Sequence, residues 1–456
     1  MLTYEIQEIA KVIGGQLLQG DPHTSIKGIC TDSRKAKGGE IFVALQGQQD
    51  GHNFIAKALD QGVTALLVSQ NITTLPAEVP VVLVADTLAA LQQLASDNRS
   101  RLNIPVVAVT GSNGKTSTKD MLAAVLSTRF NTLKTEGNFN NELGLPLTLL
   151  NLTESHQAAV VEMGMRGLGE IHFLAEIAKP TAAVITNIGE AHLERLGSVR
   201  NIAMAKTEVL EHITPEGFAV LNADSPFIRE LAERCQGQVI FYSVVGDAEL
   251  KASNIRPDGN GVRYELVYPG GFQEIYLPVP GSHNVMNSLA AVGVGLQLGL
   301  SIAEIEQGLR NVALTHSRLE ILQANGINII NDTYNANPSS TKAALQVLKE
   351  TAAGRKIAVL GDMYELGERE QVGHQEVGEA AAAIAVDALL AVGNLGQWIA
   401  QGGLMAGLPQ DRVVQCENNA QAVAELQKIV KPGDTLLIKG SRGMRMEEIV
   451  KELTKC

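Results

Sequence analysis

The stretch "VVAVTGSNGKTSTKDM", Val106 to Met121, decides how this chain is read. Four apolar residues run into a Thr-Gly-Ser-Asn-Gly-Lys-Thr turn, and a helix-forming sequence follows. A helix N-terminus presents unpaired N–H groups and a partial positive charge. Glycines in the preceding turn let backbone amides approach phosphate oxygens. Lys115 can reach a terminal phosphate, and the Thr116 hydroxyl can hold Mg²⁺. Thr110, Gly111, Ser112, Asn113, Gly114, Lys115, Thr116 and Ser117 therefore form a candidate loop for ATP or GTP. The strict motif carries glycine at position 109, where this chain has Val109. The loop alone does not separate an enzyme from a switch or a motor.

Outward from this loop the pattern is α/β. "HQAAVVEM" and "TAAVITN" read as further strands separated by helical stretches, the signature of a parallel sheet with crossover helices. Near 240–280 the pattern changes to Gly- and Pro-punctuated antiparallel strands, an added β region. From Thr315, "INIINDTY", "KIAVLGDM", "ALLAVG" and "DTLLIKGS" read as a second set of strands with helices between them. Before the loop, "GEIFVALQG", "TALLVS" and "VPVVLVAD" are strands, and "NFIAKALDQGV" is a helix. "DTLAALQQLASDNRSRL" is a helix capped by its Asp and Thr, linking the first domain to the second. Three domains are expected: 1–86, a central phosphate-loop domain at 87–314, and a Rossmann-like α/β domain at 315–456.

A net charge of -12 argues against a general nucleic-acid binder. The four cysteines, Cys30, Cys235, Cys416 and Cys456, are far apart with no CxxC pair, which suggests neither zinc nor a disulfide framework. The N-terminal segment carries acids and no long apolar core, and no apolar run reaches membrane-span length. A reduced, cytoplasmic protein is the expectation.

Three later positions sharpen the site. Glu162 ends a strand, at the edge where open parallel sheets bind ligands. It is either a solvated strand-end acid or a partner for the Mg²⁺ on Thr116. His192 follows the next strand in "AAVITNIGEAHLERLG", together with Asn187 and Glu190, and is either structural or a ligand. Lys206 shares a helical face with Ile202, Val209, Leu210 and Ile213. A lysine is normally excluded from such a stripe. Either its ammonium snorkels out, or it is held indoors, where desolvation lowers its pKa. A neutral amine can react with CO₂ to give a carbamate, turning a misplaced cation into a possible metal ligand.

At these residues the sequence resembles the Mur ligases, ATP-dependent amide-bond ligases of peptidoglycan precursor synthesis. The resemblance spans nearly the whole chain: "TGSNGKTST", "TEGNFNNELGLPLTLL", "VVEMGM", "NIGEAHLE", "AKTEVLE", "LNADSP", "GSHNVMNSLAA", "SRLE" and "NDTYNANP". With "LGDMYELG" and "IKGSRGMRME", it looks most like the branch of the family that adds D-alanyl-D-alanine. The resemblance implies roles. Lys115, Glu162, His192 and Lys206 would be catalytic. Thr116, Glu162, His192 and a carbamylated Lys206 would hold two Mg²⁺ ions. Asn284 and Asn287 would lie near adenine, and Arg318 and Asp332 would grip the nucleotide from beyond the hinge. Thr135, Asn138, Asn140 and Asn141 would face the UDP-sugar-peptide. Ser33, Arg34, Asp50, Gly51 and His52 would bind the UDP substrate in the first domain. Tyr334, Asn335, Asn337, Lys439, Ser441 and Arg442 would lie near the incoming dipeptide, with a solvated loop as the alternative for the last three. Glu365 caps a helix or touches ligand, and His283 receives no role. Val109 and Gly443 depart from the family pattern without removing a charge.

The implied reaction joins D-alanyl-D-alanine to UDP-N-acetylmuramoyl-tripeptide through an acyl phosphate, in a monomer. The competing readings are a sister Mur ligase adding one amino acid, folylpolyglutamate synthase, or a phosphate-loop ATPase switch. A switch has no need of Lys206 on an apolar face. A diaminopimelate-adding relative would carry a DNP-R-type motif, which is absent here.

Overall fold

The structure is a computed structural model and describes residues 1–72 and 75–455. It has three α/β layers in chain order. In the first, a five-stranded sheet runs Gln16–Gln19, Val81–Leu83, Ala65–Val68, Glu40–Val43, Gly28–Cys30. All its neighbours are parallel except the Gln16–Gln19 edge. Glu40–Val43 and Ala65–Val68 are short and almost wholly apolar, as strands covered on both faces must be.

The helix Thr87–Ser100 starts where Asp86 accepts hydrogen bonds from the Leu88 and Ala89 amides. It does more than link two domains. Its buried Leu91, Leu94 and Ala95 belong to one continuous core that contains Tyr4, Ile41 and Leu67 on one side and Leu145, Val161, Ile185 and Leu210 on the other. Buried Asn98 accepts from the Leu2 amide and donates to the Leu149 and Leu152 carbonyls. Arg99 donates to Ala178 and Lys179. The first and central layers are thereby packed as one body.

The central sheet has nine strands, in the order Gly271–Leu277, Gly261–Tyr268, Leu250–Asp258, Gln238–Ser243, Phe218–Asn222, Ala182–Ile185, Val106–Thr110, Ala158–Glu162, Thr132–Lys134. The antiparallel segment expected as an added region continues this same sheet, with Leu250–Asp258 joining in parallel before the meander begins. Val106–Thr110 lies between Ala158–Glu162 and Ala182–Ile185, and Glu162 stands opposite Val109 while Ile185 stands opposite Thr110. Three strand ends therefore deliver their loops to one edge.

The last layer is a six-stranded sheet, Glu320–Ala324, Ile327–Asp332, Thr435–Lys439, Lys356–Gly361, Ala388–Val392, Val413–Cys416, parallel apart from its first strand. Its core forms two clusters of its own on the two faces. Among the described residues no helix is long and apolar enough to cross a membrane. Cys30, Cys235 and Cys416 are free thiols, and Cys456 lies outside the described residues.

Candidate active site

The three layers meet around one cavity of about 1100 Å³, bordered by residues from each. At its floor, strand Val106–Thr110 turns into helix Lys115–Leu126 through the loop read from the sequence. The turn is possible because Gly111 and Gly114 take φ of +147° and +78°, and a methyl on Gly111 would lie 1.9 Å from Thr186 Oγ1. Neighbouring strand ends fix the loop. The Ser112 amide donates to Asn187 O, the Asn113 amide to Asn187 Oδ1, and Thr186 Oγ1 to Asn113 O. Lys115 folds over the loop, its Nζ donating to Gly111 O at 2.7 Å. Burial pulls its pKa down from the ordinary lysine value, Glu162 opposes that shift and Arg318 adds to it.

Glu162 joins this floor from the adjacent strand. Its two oxygens accept from Thr116 Oγ1 at 2.9 Å and Asn140 Nδ2 at 2.8 Å. A buried carboxylate beside a hydroxyl at a helix N-terminus is an oxygen donor set that suits Mg²⁺, which keeps several of its own waters. Among the described residues no three or more His, Cys, Asp or Glu come together as a metal cluster. His192 stands across the cavity at φ +65°, its Nδ1 2.7 Å from Glu365 Oε2. Burial lowers its pKa although Glu365 pulls the other way. Lys206 is 1% exposed. Burial and then the Lys115 charge both push its pKa well below that of an ordinary lysine. The snorkelling alternative fails.

The cavity's far wall comes from the interdomain linker and the last layer. Ser317 and Leu319 flank Arg318 with φ of +63° and +51°, conformations that cost a non-glycine residue about 1 kcal/mol or more. This twist lays the Arg318 guanidinium over the Tyr334 ring, 4.0 Å from its centre. Its Nε is buried without a partner among the described residues, so it can serve an anion. Asp332 and Lys439 end adjacent strands and form an ion pair, and Lys439 also donates to Asn335 O at 2.9 Å. Asn337 reaches back to the phosphate loop, donating to Asn113 Oδ1 at 2.7 Å.

Residues 109–295 match the family description "Mur ligase middle domain", 317–442 "Mur ligase, glutamate ligase domain" and 25–99 "Mur ligase family, catalytic domain". The UDP-N-acetylmuramoyl-tripeptide–D-alanyl-D-alanine ligase of Bacillus subtilis is 39% identical over 457 residues, covering 99% of both chains. This chain belongs to the Mur ligase family. A crystal structure of MurF from Acinetobacter baumannii superposes with a TM-score of 0.90 at 35% identity over 99% of both chains. MurF ligase from Thermotoga maritima in complex with ADP gives 0.83 at 28%, covering 94% of this chain and 97% of that one. The Mur ligase described here is accordingly an ATP-dependent ligase.

Most residues read from the sequence do border the cavity of this Mur ligase: Ser112 to Ser117, Asn138, Asn140, Asn141, Glu162, His192, Asn287, Arg318, Asp332, Tyr334, Asn335, Asn337 and Lys439. Others stand behind it. Thr110, Thr135, Asn284 and Lys206 are buried supports; Thr135 Oγ1 accepts from the Glu162 amide, and Asn284 Oδ1 accepts from Asn287. The first-domain residues are displaced from expectation. Asp32 caps the turn Ser33–Lys35 and binds Arg34 through both carboxylate oxygens, which turns Arg34 outward and leaves Thr31, Asp32 and Lys35 on the cavity. Asp50 and His52 bind each other, His52 Nε2 accepts from the Ser69 amide, and Gly51 packs on Leu45, so this trio builds its own loop. Ser441 supports the Tyr364 amide, and Arg442 pairs with Glu447; neither borders the cavity. Glu365 borders the cavity and pairs with His192. The sequence carried no signal for Arg166, Glu170 and Arg195, which line the cavity from the loop after Glu162, the first residue of the helix Glu170–Ala178 and the short helix Leu193–Leu196.

Proposed function

We propose that this Mur ligase joins D-alanyl-D-alanine to UDP-N-acetylmuramoyl-tripeptide at the expense of ATP, giving the pentapeptide, ADP and phosphate in peptidoglycan precursor synthesis. The observation that carries this reading is end-to-end likeness to the Bacillus subtilis enzyme of that name, 39% identical over 99% of both chains. A single cavity bordered by all three layers supports it, because three substrates must meet there.

A carboxylate does not acylate an amine at neutral pH, since its oxide is too poor a leaving group. The tripeptide carboxylate oxygen attacks the γ-phosphorus and ADP departs. The dipeptide amine then attacks the acyl carbon and phosphate leaves, while the amine's proton passes to solvent. Lys115 swings from the Gly111 carbonyl onto the phosphates and neutralises charge that grows in the transition state. Arg318 covers the nucleotide from the linker, with Asn287 and Asp332 near its base and ribose and Asn284 backing Asn287. Thr116 and Glu162 would hold Mg²⁺, and His192 with Lys206 would support a second ion; the metal supplies charge neutralisation on phosphate oxygens. The lowered pKa of Lys206 favours its neutral amine, which would add CO₂ by forming an N–C bond and releasing one proton, so that a neutral buried amine becomes an anionic carbamate. Lys35 and Asp32 would meet the UDP substrate, and Tyr334, Asn335 and Lys439 the dipeptide. Closure of the last layer brings amine to acyl carbon and keeps water away. The enzyme acts as a cytoplasmic monomer.

The test is phosphate release with ATP, Mg²⁺ and UDP-MurNAc-tripeptide, adding D-Ala-D-Ala, D-Ala, lysine, diaminopimelate or no amine in turn. Release that requires D-Ala-D-Ala, with a pentapeptide product by mass, is expected. Release with another amine moves the chain to a sister activity, and acceptor-independent release sinks the ligase reading. Intact mass under CO₂-replete conditions tests Lys206: an adduct of one CO₂ is expected, and its absence removes the carbamate.

A further inference from the structure

The loop that carries His192 is held from two sides. Its first half is fixed by its own layer: Ser112 Oγ donates to Gly189 O at 3.2 Å and accepts from the Gly189 amide at 2.8 Å. From Glu190 onward, side chains of the C-terminal layer take over. Glu190 is ion-paired with Arg369, and Glu365 meets His192 Nδ1 at 2.7 Å. Gly367 packs so closely that a methyl on it would sit 3.1 Å from Glu194 Cβ. His192 and Glu365 face each other from left-handed conformations, φ +65° and +63°. Such residues keep that shape only where surrounding contacts over-determine it.

Arg369 is the junction of these contacts. Its other nitrogen binds Glu376 at 2.5 Å, and Glu376 in turn accepts from Lys342 at 2.7 Å. Lys342 lies on the helix Pro338–Thr351, whose cap Asn337 touches the phosphate loop. Alternating charges thus run from that helix to the His192 loop. Each pair is partly exposed, the side chains being 29–41% accessible, so none is strong alone. A chain anchored at both ends on the same cavity can still bias which arrangement the layers adopt.

We propose that Arg369 is a positioning residue: by holding Glu190 across the domain boundary it fixes the loop presenting His192, so that the phosphate end of the cavity is complete only when the C-terminal layer is docked. The inference rests on the ligase reading for its kinetic consequence. Its geometric content, docking through Glu190 and Arg369, stands apart from it.

The experiment compares Glu190→Gln, Arg369→Gln and the double variant in the full-length enzyme. Losing the pair lowers kcat about threefold to fivefold in either single variant, with KM for ATP within about twofold, because the docked population falls while the phosphate loop is unchanged. The double variant is no slower than the slower single one. X-ray scattering of the wild type with a non-hydrolysable ATP analogue shows a compact particle, and both single variants stay expanded. A wild-type kcat in Glu190→Gln overturns the proposal, as does a double variant whose loss is the product of the singles. Loss in Glu376→Gln without loss in Glu190→Gln assigns Arg369 to its own layer and also overturns it. A wild type that ignores D-Ala-D-Ala would sink the ligase reading, and scattering would still decide the docking contact.

Discussion

Asp120 offers the most demanding test of the energetics. It lies on the phosphate-loop helix with a fully buried side chain. One oxygen accepts from both the amide and the hydroxyl of Thr315, each at 2.8 Å, tying the helix to the linker that leads into the last layer. The other faces Lys134 at 2.8 Å and Lys119 at 3.3 Å. Lys119 is itself 1% exposed and has nowhere to put its charge if Asp120 is removed. Breaking a buried ion pair by deleting one partner costs about 3–5 kcal/mol. The released Thr315 amide and hydroxyl lie within that range, because linker and lysines relax together. At about 2.1 cal/mol/K of unfolding entropy per residue, a body of roughly 300 residues shifts by about 1.6 °C per kcal/mol, so Asp120→Ala should melt roughly 5–8 °C lower. Asp120→Asn keeps the shape but must turn its NH₂ toward one pair of donors, and should lose about half as much. Differential scanning calorimetry of the full chain measures both. An Asp120→Ala variant melting within about 2 °C of the parent would refute the reasoning, since it would mean the two lysines are already solvated. The pH dependence follows. Burial raises the carboxyl's pKa, but Lys119, Lys134 and Thr315 outweigh it and leave it below its ordinary value. Asp120 therefore contributes fully above the ordinary aspartate pKa and loses its contribution as the pH falls through the lower folded value. The alanine variant should lack that part of the acid sensitivity.

Other outcomes follow from the site. Lys115→Met should leave the melting temperature intact and cut phosphate release on the order of 10³-fold, about 4 kcal/mol of transition-state stabilisation; loss under tenfold would remove Lys115 from the chemistry. Glu162→Gln must offer an NH₂ to either Thr116 or Asn140, so the rate should fall about 10²-fold and half-saturation should need more Mg²⁺; an unchanged Mg²⁺ titration would argue against the metal role. His283 is pressed down to about 4 by burial, with Asp332 opposing and Lys439 assisting. Its unfolded form takes a proton at about 6.5. Stability from this group is thus complete above that value and declines between there and about 4, and His283→Gln should flatten that segment of the stability-versus-pH curve.

The strands around the phosphate loop were legible because each is a short apolar run ended by a polar residue, so Thr110 and Glu162 fell at strand ends as read, whereas the strand read over "INIINDTY" stops at Asp332. Lys206 was legible from helical spacing, although the helix Val199–Thr207 tightens into a 3-10 segment at Glu208. All of Ile202, Lys206, Val209, Leu210 and Ile213 are buried, since the tightening keeps the same side inward. In the first domain the loop read from the sequence borders the cavity, through Thr31, Asp32 and Lys35 rather than Ser33 and Arg34. What decides between Arg34 and Lys35 is the Asp32 cap, a rotamer-level event that spacing does not encode. The ties between layers, Asp120 to Thr315 and Glu190 to Arg369, join residues far apart in the chain, and no local pattern marks them. The edge strands Glu320–Ala324 and Val413–Cys416 were missed because their exposed positions dilute the apolar signal.

The single core running through the helix Thr87–Ser100 has a consequence for how such a chain can change over time. Two of the three layers share their interior, so neither can be replaced without rebuilding the other. The third owns its interior and meets the rest through side chains at a boundary. It is the interchangeable cartridge of the machine. On the proposed assignment of the dipeptide to that layer, a new acceptor is reached most directly by swapping it whole from Thr315, provided the newcomer brings groups equivalent to Arg369 and Asn337, whereas the donor would be set by a part of the chain that resists exchange.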